Sequence, residues 1–107
     1  MRYPARGEVW LVDLGMTAKI RPCVVISAPI GDTERALITL VPHTTSTRGT
    51  QFEANAQVQF LRAGAFDAQG LITIPVTLAI RRIGTLNESQ IKLVETAVCK
   101  WLQLPCA

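Results

Sequence analysis

The carboxyl end of the chain contains the one segment with the pattern of an amphipathic helix. Asn87 suits an N-cap and Gln90 follows three residues later, as in a capping box, while Glu88 suits the positive end of the helix dipole. The residues predicted to face the core recur at helical spacing: Ile91, Val94, Val98 and Trp101. Pro105 is predicted to end the helix. The rest of the fold must therefore come from other elements.

The remainder of the chain divides into short apolar segments separated by turn residues. Strands are predicted over residues 8–14, 21–28, 36–42 and 56–60, with a loop over 61–69 and a strand pair, interrupted near Pro75, over 70–84. The alternation in the first strand predicts that both of its faces are largely covered. Short strands followed by one helix favour an α+β, mostly β fold, with a small, strongly bent antiparallel sheet or a partly open barrel.

Length and composition limit how this fold is organised. The 107 residues suffice for one compact domain, and no linker, repeat or low-complexity tract divides residues 1–107. Hydrophobic residues make up 49% of the chain and charged residues only 18%, a balance that excludes disorder. Because a small domain has much surface for its volume, this apolar content is predicted to exceed what one core can hide. We therefore expect a homodimer with apolar residues at its interface.

Charge points to a class of partner. Basic side chains exceed acidic ones by three, and most of the basic residues are arginines, whose planar guanidinium suits phosphate groups. Nucleic acid is therefore a candidate partner. No apolar run approaches the ~18 residues that span a bilayer, and the initial MRYPARGEV lacks the apolar core of a signal peptide. We expect a cytoplasmic protein with no membrane partner.

The cysteines do not predict a disulfide framework. The chain has an odd number of cysteines, Cys23, Cys99 and Cys106, which form no CxxC pair. It contains only one histidine. We therefore expect three reduced thiols, no zinc or other metal site, and no cofactor.

One polar stretch interrupts the apolar chain. Residues 43–51, HTTSTRGTQ, include four hydroxyls, one imidazole and one guanidinium within the first seven positions. The stretch follows the third predicted strand, and Arg21 opens the second. Because strand ends are rigid and reach solvent, these polar residues are candidates for a functional site.

Four blocks of the sequence together resemble a known family. The blocks are RGEVWLVDLG, RPCVVIS, VPHTTSTRGTQFE and a late strand ending in IG before an amphipathic helix. In this order and spacing they resemble the MazF/PemK toxins of bacterial toxin–antitoxin modules over about residues 5 to 104. The resemblance implies an SH3-like small barrel, a homodimer and a metal-independent endoribonuclease that cuts single-stranded RNA, such as mRNA, at short sequences. It also implies a cognate antitoxin that binds the RNA groove.

The resemblance assigns two catalytic residues. The family's catalytic arginine, in an Arg-Pro dipeptide opening the second strand, falls on Arg21, and its catalytic threonine falls on Thr44. Cleavage of RNA without a metal uses the ribose 2′-hydroxyl as nucleophile, so the enzyme must align the reacting atoms and stabilise charge on phosphate. An arginine and a hydroxyl can do both. The expected products are a 2′,3′-cyclic phosphate and a 5′-hydroxyl.

Further residues are candidates for binding RNA: Lys19, His43, Thr45, Ser46, Arg48 and Gln51. His43 is either a general base or a packed or solvent-exposed side chain without a catalytic role. The second interpretation follows from the rule that neighbours on a strand point to opposite faces. Arg81 and Arg82 could line the groove or support the dimer. Phe52 and Trp10 could stack on a base, although Trp10 suits the core or the dimer interface better.

Two departures from the family pattern leave alternatives open. Some members carry a catalytic Arg and Asp where this chain has Thr73 and Pro75, and the first loop, residues 15–20, is short and lacks an acidic residue. Either Arg21 and Thr44 suffice for the chemistry, or the nuclease is weakened or inactive. The alternatives are a non-catalytic toxin of the same fold that binds a protein such as DNA gyrase, and a module that binds RNA without cutting it.

Overall fold

The computed structural model describes residues 3–15 and 19–106. Seven strands and one α-helix lie within these residues. In chain order they are β1 (Glu8–Asp13), β2 (Ile20–Val25), β3 (Leu37–Thr44), β4 (Glu53–Ala54), β5 (Ala65–Asp67), β6 (Ile72–Pro75), β7 (Ala79–Thr85) and α1 (Glu88–Leu102). The predicted class, mostly β with a C-terminal helix, is confirmed.

The strands form an antiparallel sheet in the order β4–β5–β3–β2–β1–β7, with β6 also paired to β3. Strand β3 is the organising element, because it pairs with β6 through residues 37–40, with β2 through 40–42 and with β5 through 43–44. The outermost strands β4 and β7 are not paired with each other. The sheet is therefore open, not a closed barrel.

Strands β2 and β3 separate at one end, and this separation creates the space for the candidate site. Their register pairs Val24 with Val41 and Cys23 with Pro42, and pairing begins only after Pro22, which has no N–H to donate. Continued by two residues, the same register would set Arg21 opposite Thr44. Instead, the end of β3 pairs on its other side with β5. A gap is left between the ends of β2 and β3.

Two clusters of buried apolar residues cover the two faces of β1. One lies between the sheet and the helix and includes Val9, Phe66 and Val94; the other includes Val12 and lies on the opposite face. The predicted covering of both faces is confirmed. Trp10 packs against the second cluster and donates a hydrogen bond from Nε1 to Glu8 Oε1 at 3.0 Å, so its role is structural within this chain.

Helix α1 begins as the sequence predicts. The Asn87 side chain accepts a hydrogen bond from the Gln90 backbone N–H at 2.9 Å, and the Gln90 side chain accepts one from Asn87 N–H at 2.8 Å. Val94 and Val98 are buried, whereas Trp101 is 39% exposed and packs edge-on against Phe52 instead of entering the core. The helix has 15 residues, and in the part of the chain that the structure describes no helix is long and apolar enough to cross a membrane.

The strand predicted over residues 56–60 is absent. The chain instead turns there, with the Leu61 N–H donating to the Val58 carbonyl at 3.1 Å and the Gln57 carbonyl accepting a hydrogen bond from the Gln90 side chain. The predicted loop over 61–69 contains β5, which gains its strand character from pairing with β3 and β4. The apolar residues alternate over 56–60, but none of the described strands pairs with this segment.

The prediction of three reduced thiols is wrong. Cys99 and Cys106 form a disulfide with their Cα atoms 5.9 Å apart, while Cys23 is free and buried. The bond forms because the chain reverses after α1: Gln103 adopts a left-handed conformation, and Leu104 N–H donates to the Cys99 carbonyl at 2.9 Å. The reversal brings Cys106 next to Cys99 in the last turns of the helix. The helix itself ends at Leu102, three residues before Pro105, which was predicted to end it.

Candidate functional site

A cavity of about 470 Å³ opens where β2 and β3 separate. Arg21 lines it from β2, Thr44 lines it from the end of β3, and Ser46 and Arg48 line it from the loop that follows. We call this space the Thr44 cavity. Two residues that are 23 positions apart in the chain therefore face one cavity, as the sequence predicts.

The Thr44 hydroxyl is held by the turn that follows it. Its Oγ1 accepts a hydrogen bond from Ser46 N–H at 3.0 Å, which leaves the hydroxyl proton available for an acceptor in the cavity. Behind Thr44 the chain is closely packed, because a Cβ added at Gly64 would overlap the Thr44 carbonyl oxygen and come within 2.9 Å of His43 Cε1. The position of Thr44 therefore depends on a glycine on the adjoining segment.

Glu53 orders the loop that carries Arg48. Its carboxylate accepts hydrogen bonds from the backbone N–H of Arg48 at 3.0 Å and of Gly49 at 2.8 Å. These hydrogen bonds lower the pKa of Glu53, and the one from Arg48 N–H has the largest effect. The Glu53 side chain is therefore ionised at neutral pH. Sequence reasoning missed Glu53. The available signal was a carboxylate shortly after a polar, glycine-containing turn.

His43 forms part of the wall of the Thr44 cavity but is largely buried. The residue is 5% exposed, and its ring lies edge-on to Phe66 with centroids 5.0 Å apart. Burial lowers the pKa of His43, so the neutral imidazole is favoured. This packing is the environment of a structural side chain, and it agrees with the second of the two roles considered for His43.

The burial of His43 predicts that stability falls on acidification. Because the folded-state pKa lies below the ordinary value of 6.5, the unfolded chain takes up a proton first, and the free energy of unfolding should decrease as pH falls through 6.5 towards the folded-state pKa. Urea denaturation at pH values on both sides of this window measures the effect. His43 is the only histidine, so the loss should be smaller in His43→Gln. An identical pH dependence in the variant would contradict the assignment.

A second cavity, of about 580 Å³, lies on the other side of Arg21. Lys19, Thr45, Phe60 and Arg62 line it, and it shares Arg21 and His43 with the Thr44 cavity. We call it the Phe60 cavity. The predicted RNA-binding residues thus divide, with Ser46 and Arg48 on the Thr44 cavity and Lys19 and Thr45 on the Phe60 cavity. Phe60 and Arg62 were not among the predicted site residues.

Other residues singled out in the sequence lie away from both cavities. Gln51 is exposed on its loop, and Arg82 donates from Nη1 to the buried carboxylate of Glu8 at 3.1 Å, a structural ion pair. Thr73 hydrogen-bonds the Thr39 hydroxyl at 2.7 Å, and Pro75 ends β6.

The first loop and the side chains that could bind a metal also bear on the site. Residues 16–18 of the first loop lie outside the described residues. Within 3–15 and 19–106, no three His, Cys, Asp or Glu side chains are grouped as metal ligands.

Comparison with known proteins identifies the family. The chain matches, over residues 5–102, the family described as PemK-like, MazF-like toxins of type II toxin–antitoxin systems. It belongs to this family. The predicted membership is thereby confirmed for nearly the whole chain, whereas no curated protein matches it.

Solved structures of MazF-type proteins share the fold. An endoribonuclease from a mycobacterial species superposes with a TM-score of 0.83 at 21% identity, covering 100% of this chain and 98% of its own. A mycobacterial endoribonuclease in complex with its cognate antitoxin gives 0.83 at 22% identity, covering 97% and 99%. The Mycobacterium tuberculosis toxin MazF-mt6 gives 0.78 at 25% identity, covering 92% and 99%. This MazF/PemK family member therefore shares its fold with these three proteins.

Proposed function

We propose that this toxin is a sequence-selective, metal-independent endoribonuclease that cleaves single-stranded RNA, with Arg21 and Thr44 as its catalytic residues. The observation that carries the proposal is that both residues line the Thr44 cavity, at the ends of two separating strands. Family membership supports it, as do structural neighbours that are described as endoribonucleases.

The proposed reaction needs no nucleophile from the enzyme. The ribose 2′-oxygen attacks the adjacent phosphorus, the bond from phosphorus to the 5′-oxygen breaks, and the proton lost from the 2′-hydroxyl is balanced by one gained at the 5′-oxygen. The products are a 2′,3′-cyclic phosphate and a 5′-hydroxyl. The enzyme contributes alignment of the reacting atoms and stabilisation of negative charge on the non-bridging oxygens.

Arg21 is suited to the electrostatic part of this reaction. Its guanidinium can donate two parallel hydrogen bonds to the non-bridging oxygens, and these bonds strengthen as charge develops. A guanidinium is a planar, delocalised cation with several N–H donors, so Arg21 acts mainly by charge and orientation.

Thr44 is suited to holding the scissile phosphate. Since its oxygen already accepts a hydrogen bond from Ser46 N–H, the hydroxyl proton is directed to another acceptor, and a phosphate oxygen in the cavity supplies one. Arg48 and Ser46 on the same cavity would contact neighbouring phosphates, while Gln51 would contact RNA that extends beyond it.

Partners are proposed on the same basis. A structural neighbour is described as a complex with its cognate antitoxin, and we propose that a cognate antitoxin silences this toxin. A homodimer is supported by exposed apolar side chains, among them Ile20 at 56% and Ile80 at 52% exposure. We propose that the protein acts on mRNA in the cytoplasm.

The test is cleavage of a mixed single-stranded RNA by purified protein in the presence of EDTA, with mapping of both new ends. We expect cuts that persist in chelator and carry 2′,3′-cyclic phosphate and 5′-hydroxyl termini. Thr44→Val should slow cleavage about tenfold to a hundredfold, because one charge-assisted hydrogen bond is lost, whereas Thr44→Ser should retain most activity. RNA that is bound but never cut would contradict the proposal and favour an RNA-binding module.

A further inference from the structure

We propose that the Phe60 cavity binds the nucleotide next to the scissile phosphate, with its base stacked on Phe60 and its phosphate held by Arg62 and Lys19. This inference rests on the proposed ribonuclease function and extends it to a second, separate part of the surface. Neither Phe60 nor Arg62 belongs to the blocks that carry the family resemblance.

The Phe60 ring is exposed and yet held in place. The side chain is 42% exposed, and the end of its ring lies against the backbone of Gly84 on β7. A Cβ at residue 84 would overlap this end of the ring and come within 2.7 Å of Phe60 Cε2, so the ring occupies the space that the missing side chain leaves. A fixed, solvent-facing aromatic ring is what a stacked base requires, because little side-chain freedom is lost on binding.

The charge around the Phe60 cavity favours a phosphate. Lys19, Arg21 and Arg62 line it, and its described lining contains no acidic side chain. The Thr44 cavity differs, since Glu53 and Asp67 stand beside its two arginines. An anionic strand that reaches Arg21 therefore meets further positive charge, with no carboxylate to repel it, on the Phe60 side.

Arg21 connects the two cavities. Because it lines both, an RNA strand whose scissile phosphate contacts Arg21 and Thr44 can continue directly into the Phe60 cavity. An acidic protein segment would also meet the positive charge, but a flat aromatic face beside cations matches the paired base and phosphate of a nucleotide. The observations therefore favour RNA.

The experiment measures binding separately from cleavage. Fluorescence anisotropy would use a mixed-sequence single-stranded RNA of about ten nucleotides, with 2′-fluoro groups so that it cannot be cut. Phe60→Leu keeps apolar volume against Gly84 without a flat face, and we expect binding to weaken about tenfold, whereas Phe60→Trp should bind at least as tightly as the unmodified protein. Arg62→Ala should weaken binding and lower the slope of log K against log salt by about 0.7.

The matched control is Arg35→Ala, which removes an exposed arginine from the loop between β2 and β3 and should change neither affinity nor slope. Two outcomes would overturn the assignment if the unmodified protein still bound and cut RNA. One is equal binding by Phe60→Leu and Phe60→Trp, and the other is an unchanged salt slope in Arg62→Ala. Failure of the unmodified protein to bind RNA at all would instead overturn the proposed function, and this inference with it.

Discussion

Arg21→Ala is expected to slow RNA cleavage about 10²–10³-fold, the usual cost of removing a preorganised donor to a developing anion. Arg21 lines the Thr44 cavity from a strand, so its loss removes charge from the position where negative charge accumulates in the transition state. Single-turnover cleavage of a defined RNA, with protein in excess, measures the chemical step directly.

Two variants make the Arg21 result specific. Arg21→Lys keeps a positive charge but lacks the planar fork, so it should recover only part of the lost rate. Arg35→Ala removes an exposed arginine that lines neither cavity and should cleave normally. Each variant is to be checked for unchanged thermal unfolding. Full cleavage by folded Arg21→Ala would remove Arg21 from the chemistry.

Gly64→Ala is expected to lower the free energy of unfolding by about 3 kcal/mol, at the upper end of the usual cost of overpacking. The added Cβ would overlap the Thr44 carbonyl oxygen, and backbone atoms, unlike the end of a flexible side chain, cannot swing aside. Any relaxation has to move the end of β3. Cleavage should therefore fall as well, even at temperatures where the variant is folded.

The control for this substitution is Gly31→Ala. A Cβ at residue 31 would approach nothing closer than the Glu34 carboxylate oxygen at 3.4 Å, and stability should change little. Urea denaturation of both variants at neutral pH gives the comparison. If Gly64→Ala were as stable and as active as Gly31→Ala, the close packing behind Thr44 would have no part in positioning it.

Local interactions explain which elements the sequence predicts correctly. The capping box of Asn87 and Gln90 involves residues within one turn, and the apolar pattern of β1 is satisfied by clusters on both of its faces. In each case the side chains that decide the structure are close in sequence to the backbone that they order.

Long-range pairing explains the errors. Val58 and Phe60 alternate with polar neighbours, but their backbone pairs with no described strand, whereas the short β5 is a strand because β3 pairs with it. The Cys99–Cys106 bond depends on a left-handed Gln103, a conformation that a non-glycine residue gives no reason to expect.

Some residues of the candidate site could be predicted from the sequence, and others could not. Arg21 and Thr44 could be named because they lie in motifs that resemble a family, although their convergence depends on the register and separation of β2 and β3. Phe60 and Arg62 lie in the segment where the predicted strand and loop were wrong. Their relation to Gly84 and Arg21 exists only in three dimensions.

The early parting of β2 from β3 has a bearing on how such toxins diversify. Backbone pairing between these strands stops at Cys23 and Pro42, so exchanging side chains in the loop beyond Thr44 leaves that pairing intact. Loop side chains around the Thr44 cavity can therefore differ between relatives while the paired strands β2 and β3 keep their hydrogen bonds. New target preferences can arise at this rim without the protein having to find a new way to fold.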